Sequence, residues 1–139
     1  MTTTTRRWIL RANALYLLIA STSGTLADLA GSFLSRGPQG PILAAAPYTA
    51  IGFVEAHGLA FILGVLLWRA APERSWHLTA AAIHVLLGTA NVVFWPIFIA
   101  ADMLTAGYVT TGLHWLFVVF QLRAATADSG VPRATLVTA

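Results

Sequence analysis

The residues of this chain that could do chemistry are a few carboxyl, imidazole and amide side chains set within long apolar stretches. Ionisable groups in such stretches are costly to bury, so each is a candidate for function. The candidates for catalysis are Asp28, Glu55, His57, Asn91 and His114. A carboxyl group and an imidazole in a dry site are suited to proton transfer to and from a substrate.

The composition excludes a water-soluble domain. Hydrophobic residues make up 58% of the 139 residues and charged ones 9%, against about 25% charged in ordinary soluble domains. The net charge of +3 comes from arginines at the ends of apolar stretches, a pattern typical of membrane proteins rather than of nucleic-acid binding. Because the chain has no cysteine and no lysine, thiolate chemistry and a Schiff base are excluded.

Four apolar stretches approach the roughly 18 residues that a membrane helix needs. They cover residues 8–34, 48–68, 78–100 and 106–122. The sequence therefore predicts an all-α fold, an integral membrane four-helix bundle, with residues 1–125 as a single four-span domain. Residues 126–139 are expected to be a disordered C-terminal tail.

The arginines predict the orientation of these spans. In a four-span topology seven of them lie on one side, and only Arg36 lies on the other. Arginine-rich loops face the cytoplasm, so both termini are expected there, in a multi-pass protein of the cell membrane, with the bacterial cytoplasmic membrane favoured. One alternative is a cleaved signal peptide over residues 1–27, which would remove the first span and the arginine asymmetry.

The five catalytic candidates are expected to share one depth. Counted at 1.5 Å per residue, they lie roughly 9–13 Å below the outer ends of their spans, in the outer half of the bilayer. His84 is expected deeper, at roughly 24 Å, near the level of Gln121. Pro96 should kink the third span one turn above Asn91 and open a gap between helices at the depth of this polar layer.

The second span contains a conflict between two of the candidates. Glu55 and His57 are two residues apart, which separates them by roughly 200° around a helix. Both cannot face the same point, so one faces the interior and the other a neighbouring helix, unless the helix is distorted. If Glu55 faces outward, a homodimer partner is expected to cover it.

Four further side chains are candidates for holding a substrate. They are Trp95, Tyr108, Thr111 and His84. A site of this kind is mostly apolar, with a few convergent polar groups. The expected partners are a lipophilic small molecule and membrane lipid, without nucleic acid, and the preferred interpretation needs no cofactor and no metal.

The preferred function is an enzyme that does acid–base chemistry on an apolar or amphipathic molecule taken from the bilayer. Isomerisation, cyclisation and epoxide opening are the reactions that such groups support. Three alternatives stay open at this stage: an accessory membrane subunit, a proton-coupled small-solute transporter that uses Glu55, and a b-type haem or metal protein. The haem would be held by His57 and His114, and a metal would add Glu55 or Asp28 as a ligand.

Overall fold

The structure is a computed structural model that describes residues 1–127. The predicted disordered tail falls almost wholly outside the described residues. Within the described range the chain forms helices and no strand. The helices are α1 (Thr3–Leu34), α2 (Gly40–Ala45), a 3₁₀ turn (Pro47–Thr49), α3 (Ala50–Arg69), α4 (Arg74–Val93), α5 (Trp95–Ala100) and α6 (Leu104–Thr126).

The all-α prediction is confirmed, and three of the described helices are long and apolar enough to cross a membrane. They are Thr3–Leu34, Pro47–Arg69 and Arg74–Val93. The fourth predicted span corresponds to α6, which has 23 residues but carries polar side chains such as His114 and Gln121 along its length. The structure therefore supports a helical membrane protein, and the fourth span stays a prediction.

The first two long helices pack as an antiparallel pair. Asp28 of α1 faces His57 of α3, and ten residues earlier on α1 Leu18 contacts Gly64 of α3. Residue numbers rise along one helix while they fall along the other, so the helices run in opposite directions. Gly64 allows a close approach, because a Cβ placed there would lie 3.0 Å from Cγ of Leu18.

The other two long helices form a second antiparallel pair. His77 of α4 bonds to Gln121 of α6, and Asn91 of α4 bonds to Thr110 of α6. The two pairs meet at Asn13 of α1, whose side chain reaches both α4 and α6. This arrangement brings the start of α1, the end of α3, the start of α4 and the end of α6 to one end of the molecule.

The interior holds polar side chains, and much of the outer surface is apolar. Large apolar residues such as Ile19, Leu59 and Leu86 are exposed. This distribution suits lipid, where an outward polar group would lack partners. The buried core does include apolar residues, namely Leu10, Ala14, Leu17, Leu67 and Ala80. Five polar residues are 0% exposed: Asn13, Asp28, His77, His84 and Gln121.

The third predicted span is divided at the proline, as the sequence indicates. Helix α4 ends at Val93, Phe94 leaves the helical conformation with φ −96° and ψ 23°, and α5 begins at Trp95. Proline at position 96 has no N–H to donate, so it sits in the first turn of a new helix. Asp102, with φ 53°, then turns the chain into α6.

Candidate functional site

An acid–base pair joins α1 to α3. Nδ1 of His57 donates to Oδ2 of Asp28 at 2.6 Å, and Asp28 is 0% exposed while 29% of the His57 side chain is exposed. The second carboxyl oxygen, Oδ1, is buried without a hydrogen-bond partner in the structure. A carboxylate on Nδ1 fixes the tautomer of the ring and leaves Nε2 as the atom that can take a proton from a substrate.

The ring of His57 rests on the bare backbone of Gly24. A Cβ built at Gly24 would collide with the His57 ring, with Nε2 as the nearest atom. The glycine therefore makes the space that the imidazole occupies. This close fit holds the ring against α1 while its Nδ1 edge points to Asp28.

Adding a methyl group at Gly24 should therefore disrupt the acid–base pair. We expect Gly24→Ala to displace the His57 ring and lower the free energy of unfolding by roughly 1–3 kcal/mol, the usual cost of overpacking. Thermal unfolding in detergent micelles measures the change. The matched control is Gly58→Ala, where a Cβ would meet nothing within 4 Å. Equal melting temperatures for the two variants would show that the close fit at Gly24 is not needed.

A largely apolar cavity of about 360 Å³ lies between α2, α3, α4 and α5. This volume is at the lower end of the roughly 300–1,000 Å³ range of small-molecule sites. Its walls are Gln39, Ile42, Phe53, Ala90, Asn91, Phe94, Ile97, Phe98 and Met103. The predicted gap beside Pro96 is therefore present, and of the five predicted catalytic residues only Asn91 is on its wall.

The cavity and the acid–base pair share helix α3. Phe53 of the cavity wall precedes His57 by four residues on α3, so the two side chains share a helix face about one turn apart. Asp28 is related to the cavity less directly. It is three residues from Gly31 on α1, and Gly31 packs against the backbone of Gln39, another residue of the wall.

The cavity wall carries two polar side chains. Oε1 of Gln39 is buried and has no hydrogen-bond partner in the structure. Nδ2 of Asn91 donates to Oγ1 of Thr110 at 3.1 Å, which fixes the orientation of its amide. A buried acceptor without a donor is unfavourable, so Gln39 is suited to accept a hydrogen bond from a bound molecule.

A second polar cluster lies between the two helix pairs. We call it the polar network, and it consists of Asn13, His77, His84, His114 and Gln121. Its bonds join His77 Nδ1 to Gln121 Oε1 at 2.5 Å and Gln121 Nε2 to Asn13 Oδ1 at 2.8 Å. They continue from Asn13 Nδ2 to His84 Nε2 at 2.6 Å and from His84 Nδ1 to His114 Nδ1 at 2.8 Å. The ring of Tyr16 packs on both His84 and His114.

The direct bond between His84 and His114 corrects an expected depth. Counted along ideal spans, His84 would lie roughly 11 Å deeper than His114, whereas their Nδ1 atoms are 2.8 Å apart. The count assumed that the third span continues to residue 100, but α4 ends at Val93 and α5 follows as a separate helix. His84 is therefore nearer to the outer end of its helix than the sequence count placed it.

The predicted catalytic residues thus fall in separate places. Asp28 and His57 are bonded, His114 belongs to the polar network, and Asn91 is on the cavity wall. Glu55 is exposed on α3. This resolves the conflict in the second span, because His57 faces the interior and Glu55 faces outward.

The predicted substrate-binding residues are also divided. Trp95 packs against Tyr108, with ring centroids 4.8 Å apart, and against Phe98 of the cavity wall at 5.5 Å. Trp95 and Tyr108 are therefore a second layer that packs behind Phe98 of the cavity wall. His84 belongs to the polar network, and Oγ1 of Thr111 is buried without a partner in the structure.

Sequence reasoning missed three residues of the polar network and one of the cavity. Asn13 and Gln121 are amides within apolar stretches, and this property could have marked them as it marked Asn91. His77 lies next to a short polar turn at the end of a span, where a histidine is usually solvated, but it is 0% exposed. Gln39 lies in a turn-rich loop, where the sequence carries no signal for burial.

The described residues provide little support for a metal or haem site. Within residues 1–127 no group of three or more His, Cys, Asp or Glu side chains could hold a metal ion. His57 and His114, the predicted haem ligands, lie in different clusters. Comparison of the chain with family models, curated proteins and solved structures finds no match.

Proposed function

We propose that this chain is a small integral membrane enzyme that does acid–base chemistry on a lipophilic molecule taken from the bilayer. The observation that carries the proposal is the Asp28–His57 pair, bonded at 2.6 Å, with His57 one helical turn from Phe53 in the wall of an apolar cavity of about 360 Å³. The reactions that suit it move a proton to or from carbon or oxygen, as in isomerisation, cyclisation or epoxide opening.

Each part of the site has a role in this proposal. Nε2 of His57 exchanges the proton with the substrate, and Asp28 holds the ring in the required tautomer and stabilises its protonated form. The amides of Gln39 and Asn91 bind the polar end of the substrate. The phenyl rings of Phe53 and Phe98 hold its apolar body, and their faces stabilise positive charge that develops on it.

The unpartnered oxygen of Gln39 favours one class of substrate. Oε1 can only accept a hydrogen bond, so the polar end that it binds must donate one. A lipophilic alcohol or amine has such a donor next to an apolar body. We therefore propose a substrate with one hydroxyl or amino group.

We further propose that all four long helices span the cell membrane, with both termini in the cytoplasm. The antiparallel pairs bring Arg69, Arg74 and Arg123 to the same end of the molecule as the start of α1. The 23 residues of α6 extend about 35 Å, enough to cross a hydrocarbon core of about 30 Å. A second copy of the chain stays a proposed partner, because an exposed carboxyl group on α3 is costly in lipid unless protein covers it.

Filling the cavity should expel the bound molecule. We expect organic extracts of the purified wild-type protein to contain a lipophilic alcohol or amine, identified by liquid chromatography and mass spectrometry. The cavity-filling variant Ala90→Phe should lose it. The matched control is Ala82→Phe, on the same helix but exposed, which should retain it. Retention of the compound by Ala90→Phe at the wild-type amount would contradict binding in this cavity.

A further inference from the structure

The polar network has a property that does not depend on the proposed enzyme activity. Its four hydrogen bonds run without a gap from His77, in the first turn of α4, to His114, near the middle of α6. Four of its residues are 0% exposed, and His114 is 8% exposed. Water is therefore largely kept from the bonds, and each polar atom depends on its neighbour in the network.

While its side chains are neutral, the hydrogen bonds of the network must all run in the same direction from donor to acceptor. A carboxamide has one donating and one accepting end, and a neutral imidazole has one donating and one accepting nitrogen. A residue that accepts from one neighbour must therefore donate to the other. While all three imidazoles are neutral, the four bonds have two arrangements only, one in which His77 Nδ1 donates and one in which His114 Nδ1 donates.

The two arrangements differ in the tautomers of the histidines. When His77 Nδ1 donates, Gln121 donates to Asn13, Asn13 donates to His84 Nε2, and His84 Nδ1 donates to His114. The hydrogen of His114 is then on Nε2. In the reverse arrangement both amides are turned by 180°, His84 carries its hydrogen on Nε2, and His114 carries its hydrogen on Nδ1.

An excess proton fixes the direction of every bond. A doubly protonated imidazole has two donors and no acceptor. With the proton on His77 the first arrangement follows, and with it on His114 the reverse arrangement follows. With it on His84 that ring donates on both sides, and Nδ1 of His77 and Nδ1 of His114 both accept. Double protonation of any two of these rings would place donor against donor and break a buried bond.

We propose that the polar network is a proton-binding site that holds at most one excess proton, at His77, His84 or His114 and never at two of them. The state with the proton on His77 and the state with it on His114 contain the same number of hydrogens. In the second state His77 has no Nδ1 hydrogen, His84 carries its hydrogen on Nε2, His114 carries one on Nδ1, and both amides are turned. Because a turning amide passes no proton, the two states interconvert by release of a proton and uptake of another. The protonation of His77 near one end of the bundle thereby determines which nitrogen of His114 donates in the interior.

The groups around the network add no negative charge that would hold a second proton. The charged group beside His77 is Arg6 of α1. His84 and His114 face the phenol of Tyr16 from α1, and His84 also stacks on Phe117 of α6. Nε2 of His77 and Nε of Arg6 are both buried without a partner in the structure. Nε2 of His77 thus ends the network on this side without a hydrogen-bond partner in the structure.

The test is a measurement of which ring nitrogens carry hydrogen, on the full chain in lipid nanodiscs with ¹⁵N-labelled histidine. NMR spectra across a pH series report each nitrogen of His77, His84 and His114. We expect that when His77 becomes doubly protonated, His114 carries hydrogen on Nε2 only. A pH at which both rings are doubly protonated in the same folded molecules would overturn the proposal.

Breaking the network in the middle should uncouple its two ends. In Asn13→Leu the new side chain has nearly the same shape as the old one but makes neither hydrogen bond of the Asn13 amide. The tautomer of His114 should then no longer follow the protonation of His77. The control is Thr111→Val, which removes a buried hydroxyl outside the network and should keep the coupling. Persistent coupling in folded Asn13→Leu would contradict the proposal. If that variant does not fold, Gln121→Met breaks the network at the next residue and provides the same comparison.

Discussion

Replacing Asp28 with Asn is expected to lower product formation by roughly 10²–10⁴-fold, the usual contribution of a positioned acid or base. The amide nitrogen of Asn would donate to Nδ1 of His57 and so place the ring hydrogen on Nε2. The ring would then hold the wrong tautomer and could not accept a proton from the substrate at that atom. Because the side chains are alike in shape, the cavity and the bound molecule should remain.

The measurement compares membrane extracts of cells that produce either protein, using chromatography that separates isomers. The wild-type product should be nearly absent from cells with Asp28→Asn. Glu55→Gln is the control, since Glu55 is exposed on the far side of α3 and is outside the site. Loss of product with Glu55→Gln and its retention with Asp28→Asn would indicate that Glu55 does the chemistry, as the sequence alone allows.

Replacing Gln121 with Leu is expected to lower the free energy of unfolding by breaking the polar network. Gln121 is 0% exposed, and its amide bonds to both His77 and Asn13. The change leaves a buried donor on His77 and a buried acceptor on Asn13 without partners. Leaving one buried polar group unpaired costs about 1–3 kcal/mol. Hydrogen bonds between side chains in membrane proteins are weaker on average, at about 0.6 kcal/mol each. Because of this smaller value, we expect the two unpaired groups together to cost about 1–3 kcal/mol.

Thermal unfolding in detergent, followed by circular dichroism, measures this loss as a lower melting temperature. Thr126→Val is the control on the same helix, because its hydroxyl is exposed and bonds only to backbone oxygens of its own helix. It should change the free energy of unfolding by less than about 0.5 kcal/mol. If Gln121→Leu is as stable as the control, the polar network does not hold the two helix pairs together.

Much of the fold follows from local properties of the sequence. The lengths of the apolar stretches predict the long helices, and the missing N–H of Pro96 predicts the break after Val93. Helical periodicity predicts that Glu55 and His57 cannot face the same point. The structure adds which of them faces the interior, since His57 can lie only where α1 offers the bare backbone of Gly24.

The contacts between helices were harder to predict, because they depend on the register of one helix against another. An end point misplaced by two residues changes the expected depth of every later side chain by about 3 Å. The hydrogen bond between His84 and His114 therefore depends on where α4 and α6 end. Gln39 reaches the cavity through the fold of α2 against Gly31, which no periodicity in the sequence encodes.

Proton exchange between the Asp28–His57 pair and a lipophilic molecule is tested most directly by isotope labelling. Wild-type protein and His57→Gln are incubated with membrane lipid extract in water labelled with deuterium and oxygen-18. We expect one lipophilic compound to gain a carbon-bound deuterium, or an oxygen-18 if an epoxide opens, with wild-type protein only. The same labelling with both proteins, or no labelled compound with either, would contradict it.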